Sequence, residues 1–147
     1  MLRSLLSTAT AAGFSVCILF AALPAQAETL HFKADLKGGD ETPPNDSKGT
    51  GTVAATYDTT TKKLAWTITY SGLTGPATAA HFHGPAAAGK AAGVEVPVPG
   101  ADKSPIEGSA TLTASQAKDL MDGMMYFNIH TAAHKAGELR GQMTKGM

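Results

Sequence analysis

Four of the five histidines in this chain fall in two short clusters, and imidazole in clusters is ligand chemistry. The first cluster is Ala79-Ala80-His81-Phe82-His83-Gly84-Pro85. In an extended strand alternate side chains share a face, so His81 and His83 stand on one face, roughly 7 Å apart along the strand axis, with Ala80 and Phe82 on the other. The second cluster, His130-Thr131-Ala132-Ala133-His134, lies near the C-terminus. Were the fold to join the two, His81, His83, His130 and His134 would offer three or four imidazole nitrogens and no thiolate. That donor set suits Cu(II) or Zn(II) better than Cu(I). The competing expectation is a buried histidine bonded to backbone, Asn128 or Glu138, with no metal. Met124, Met125 and Met143 are possible soft ligands, but methionine in an alternating strand is more often core.

Other chemistry is weaker. Asp40, Glu41 and Asp46 share a loop, but their spacing matches no calcium loop and they are expected to be solvated. Glu138 and Arg140 share a face of one strand, where an ion pair is expected. Ser71 and Ser104 lack a recognisable histidine and acid partner, so nucleophilic catalysis finds no support. His31 sits at an outward position of a cleanly alternating strand and is expected to face solvent.

The elements that must position these residues are mostly strands. Thr29–Leu36, Gly49–Tyr57, Lys63–Tyr70, the histidine strand, Gly93–Val98, Ile106–Leu112, Met124–His130 and Gly137–Met143 each alternate apolar and polar residues, with turn signals roughly every eight to twelve residues. Val94, Val96 and Val98 are expected on one side of their strand, and Pro97 and Pro99 put it at an edge. Thr113–Gly123 is the one helical stretch: Thr113 caps it, Gln116 sits three residues on, Leu120 and Met121 form its apolar side, and Gly123 ends it. The expected fold is all-β: an antiparallel Ig-like or superoxide-dismutase-like sandwich or barrel of about seven or eight strands with one short helix.

Residues 1–27 read as a cleaved secretory signal peptide. Arg3 precedes an apolar run, Pro24 breaks it, and Ala25-Gln26-Ala27 fits a cleavage site. Residues 28–147 then form a single domain, periplasmic or secreted, without cysteine and therefore without a disulfide, because Cys17 leaves with the signal. Eleven basic residues against twelve acidic ones, in no basic run, argue against nucleic acid as a partner, and no later stretch is apolar enough for a membrane span.

Glu41-Thr42-Pro43-Pro44, Gly49-Thr50-Gly51, Leu64 to Leu73, Ala80 to Ala86, Tyr126 to Thr131 and Ala136 to Gln142, in that order, resemble the CHRD domain, named for its occurrence in chordin and common in secreted bacterial proteins. The resemblance covers essentially all of residues 28–147 and implies an all-β extracytoplasmic module without a settled activity. A looser similarity is to copper/zinc superoxide dismutases, in which His81, His83 and His130 would take the part of copper ligands. The zinc-ligand cluster and cysteine pair of those enzymes have no counterpart here, and Arg140 is a loose match for their late arginine. Three functions follow as expectations: an exported binding module taking copper or zinc, or a protein partner, through the histidines; a copper-dependent redox enzyme of the dismutase type; and a structural or adhesive envelope protein without a cofactor.

Overall fold

A computed structural model describes residues 26–146; most of the expected signal peptide lies outside the described residues. Among the described residues nine strands make one antiparallel sheet, curled into a nearly closed barrel. They are β1 (Thr29–Lys37), β2 (Thr50–Asp58), β3 (Lys63–Ser71), β4 (Ala77–His83), β5 (Val94–Pro97), β6 (Ile106–Thr111), β7 (Tyr126–Thr131), β8 (Leu139–Gln142) and β9 (Thr144–Lys145), with one α-helix, α1 (Ala114–Met121), between β6 and β7. The order across the sheet is β5-β4-β7-β8-β1-β2-β3-β6, and β9 pairs with β1. Of the two architectures expected, the barrel is the one formed. Among the described residues no helix is long and apolar enough to cross a membrane.

The barrel interior is built from the alternate positions the sequence marked. Leu30, Phe32, Ala34 and Leu36 of β1, Val53, Ala55 and Tyr57 of β2, and Leu64, Trp66 and Ile68 of β3 are all buried. Phe82 and Phe127 meet at 5.0 Å between ring centroids, and Trp66 leans on Phe82 at 5.3 Å. Met125 and Met143 belong to this core, so their thioethers are packing and not ligands. The helix forms as its capping box dictates: Gln116 N–H donates to Thr113 Oγ1 (3.2 Å) and Thr113 N–H to Gln116 Oε1 (2.9 Å). Leu120 alone is buried on it; Met121 is exposed, against expectation.

A second correction falls on β5. Val96 and Val98 are buried but Val94 is 54 % exposed. The pairing runs Phe82↔Val96, then His83↔Val94, so the register slips at Glu95 and turns Val94 outward.

Both faces of β7 and β8 are covered. The inner residues Phe127, Ile129 and Leu139 meet the core, while the outer residues Tyr126, Asn128, Glu138 and Arg140 are buried as well. Two loops lie over that outer face. Asn45 Nδ2 donates to the carbonyls of Gly137 and Glu138 (3.3 and 3.1 Å), pinning the loop after β1. Gln142 Nε2 donates to Ala86 O (2.8 Å), and Ala86 N–H to Met124 O (2.8 Å), pinning the loop after β4.

Candidate metal centre

β4 pairs with β7 in the register His81↔Asn128 and His83↔Tyr126, with Ala79 opposite His130. Directly opposed side chains on one face of a sheet lie about 5 Å apart, so this register gathers His81, His83, Asn128 and His130 on the outer face. His81, His83 and His130 each offer one ligand nitrogen, and the three atoms lie within 4.8 Å of one another. Ring centroids are 5.0 Å apart for His81 and His130, 5.4 Å for His81 and His83, and 6.2 Å for His83 and His130. His134 stands outside this group. It is half-buried in the turn after β7, where its carbonyl accepts from the N–H groups of Thr131 and Gly137. His31 is exposed, as its alternation required.

Backbone contacts settle which nitrogens are free. His83 Nδ1 lies 3.0 Å from Ala92 O and His130 Nδ1 lies 3.0 Å from Lys135 O. A carbonyl only accepts, so each Nδ1 carries the proton and each Nε2 keeps its lone pair. This is the arrangement by which an outer hydrogen bond orients a histidine ligand. His81 Nδ1 is 3.2 Å from His130 Nε2, so without a metal His81 donates there. The other neutral tautomer of His81 frees that nitrogen as the third lone pair. Buried His83 Nε2 has no hydrogen-bond partner.

The electrostatics favour the ligating form of His81 and His83. Burial holds His81 below its ordinary value, and the neighbouring His130 and His83 push it further down. Burial lowers His83 too, against the opposing pull of its bond to Ala92. Both are held toward the neutral state that metals bind. A zinc or copper ion about 2 Å from each nitrogen needs donors closer than 4.8 Å, so the rings would have to turn inward to hold it.

Several residues that support the site were not expected there. His83 stacks on Tyr126 with centroids 4.9 Å apart and planes 4° apart. The Arg140 guanidinium lies 3.5 Å from the centroid of the same Tyr126 ring and donates to Thr42 Oγ1 (2.9 Å). The expected Glu138–Arg140 ion pair does not form. Among the described residues the ion pair found is Lys118–Asp122, on the exposed side of α1. Glu138 is instead a buried carboxylate accepting four hydrogen bonds, from Ser47 Oγ, Thr74 N–H, Thr74 Oγ1 and Thr131 Oγ1, at 2.6–2.8 Å. Burial by itself would raise its pKa, but these donors prevail and hold it down at about 2. Glu41, expected in solvent with Asp40 and Asp46, is only 4 % exposed while the other two are exposed. Its burial raises its pKa. No local pattern signals this burial, since Asp40, Pro43 and Pro44 around it are all exposed.

No curated protein matches the chain. No solved structure matches it. The family model for the CHRD domain matches residues 32–143, from within β1 to the residue after β8, and this span carries all three converging histidines, so the chain belongs to the CHRD domain family.

Proposed function

We propose that this protein is an exported CHRD-domain binding module that holds Cu(II) or Zn(II) through His81, His83 and His130. The observation that supports the reading is the convergence of the rings: His83 and His130 spend Nδ1 on backbone carbonyls, which leaves the lone pair on Nε2 of each, and one ligand nitrogen from each of His81, His83 and His130 lies within 4.8 Å of the others. Buried His83 Nε2, without a hydrogen-bond partner among the described residues, is placed to take up such an ion. Export rests on residues 1–27, which read as a signal peptide, and mass spectrometry of the exported protein would find it beginning at Glu28.

The test is calorimetric titration of Cu(II) and of Zn(II) into the purified protein and into a His81→Ala, His83→Ala double variant. One equivalent is expected to bind the wild type, and the double variant is expected to lose it. Equal binding by both, or by neither, removes the reading and leaves the envelope module without a cofactor. A copper-dependent redox enzyme is the second reading, favoured because His81 and His130 are only half-buried and leave the metal reachable. Copper-loaded protein without dismutase activity would exclude the dismutase form of it.

A further inference from the structure

The three histidines leave one coordination position of a four-coordinate ion to be filled, and a fourth lone pair already stands beside them. Asn128 is 2 % exposed and sits directly across from His81, between Tyr126 and His130 on the same face of β7. The nitrogen end of its amide is fixed: Nδ2 lies 3.5 Å from Ala136 O, on the side where Glu41 and Gly137 pack. The oxygen end therefore points away from that loop, and Asn128 Oδ1 is buried without a hydrogen-bond partner. His83 Nε2 is the other orphan at this spot, and the Asn128 amide faces it. Two bare acceptors cannot satisfy each other. A cation satisfies both.

Behind the amide lies a third orphan, Glu41 Oε1, on a carboxyl with no cation within salt-bridge distance among the described residues. Burial penalises its charged form against the pull of the Arg140 and His134 charges, and a divalent ion held by Asn128 would add to that pull.

We propose that Asn128 Oδ1 is the fourth ligand of the metal centre, with Glu41 behind it as the residue that orients the amide and balances the ion's charge. This rests on the three-histidine reading above. The donor set becomes three imidazole nitrogens and one amide oxygen. It selects a borderline divalent ion, Cu(II) or Zn(II), over Cu(I), which prefers sulfur. The oxygen ligand favours holding copper as Cu(II) and so favours a binding role over redox cycling.

The experiment loads the full chain with Cu(II) and reads both affinity and the electron paramagnetic resonance spectrum, in wild type and in Asn128→Ala, Asn128→Asp and Glu41→Gln. Asn128→Ala is expected to weaken Cu(II) binding about 10–100-fold and to change the copper hyperfine splitting. Asn128→Asp keeps an oxygen at the position and is expected to retain tight binding with a shifted spectrum. Glu41→Gln is expected to weaken binding while leaving the ligand set unchanged. Wild-type affinity and an unaltered spectrum in both Asn128 variants, alongside loss of binding in His83→Ala, would overturn the fourth ligand and leave the three-histidine site standing. No Cu(II) binding by folded wild type would remove the three-histidine reading itself. Should Asn128→Ala fail to fold, the Asn128→Asp spectrum decides: a spectrum identical to wild type overturns the assignment.

Discussion

Glu138 shows how much one side chain can organise. Its two oxygens tie Ser47 of the loop before β2, Thr74 of the loop before β4 and Thr131 of β7 to the start of β8. Because its pKa falls from the ordinary 4.5 to about 2 on folding, it adds stability that is fully present above about pH 4.5 and is lost as pH falls toward 2. The shift corresponds to about 3 kcal/mol. Chemical denaturation at stepped pH is expected to show that loss between pH 5 and pH 2. Glu138→Gln is expected to be less stable near neutrality by a similar amount and to respond less to acid. A variant with wild-type stability at pH 7 would show that the four hydrogen bonds carry no net weight.

At the scale of elements, the histidine strand works because its register with β7 is fixed by what lies on the opposite face. Ala80 and Phe82 must enter the core with Ile129 and Phe127, and a slip by one residue would bury both histidines in the barrel interior. The turn between β7 and β8 is equally constrained. Gly137 has φ +137°, and a Cβ there would run into the Glu41 carboxyl and the Asn128 amide. Gly137→Ala is expected to cost roughly 2–3 kcal/mol from strain and overpacking, and to weaken metal binding by displacing Asn128. Thr113→Ala, which removes the N-cap of α1 and touches none of the three histidines, is expected to cost about 1 kcal/mol with no change in metal affinity. Thermal melts and metal titrations on the same two variants would separate the effects. Equal affinity in both would detach the turn from the site.

For the molecule as a whole, the barrel must stand without a disulfide, because the described residues contain no cysteine. A metal bound to the folded state alone would add to that stability by mass action. At a free Zn(II) concentration 100 times the dissociation constant the gain is about 2.7 kcal/mol, or roughly 10 °C in melting midpoint for a domain of this length. The wild type is expected to show that rise and the His81→Ala, His83→Ala variant to show none. A rise in both would place the zinc elsewhere.

Eight of the nine strands, their inward faces apart from Val94, the capped helix apart from its exposed Met121, the outward His31 and the shared face of His81 and His83 were legible in the sequence, whereas the two-residue β9 was not. Each follows from a local rule: period-two alternation, a threonine three residues before glutamine, a glycine where φ turns positive. The convergence of His130 on the pair, the exclusion of His134, the burial of Glu41 and Glu138, and the stack of His83, Tyr126 and Arg140 were not. Alternation separates two faces of a strand but does not say whether the outward one meets water. Here two loops distant in sequence fold over β7 and β8, and their hydrogen bonds turn a nominal surface into a second, polar interior. Residue order determined the barrel wall and its histidine face; only the long-range packing of residues 38–49 and 84–93 decided which polar groups would be sealed beside those histidines without partners.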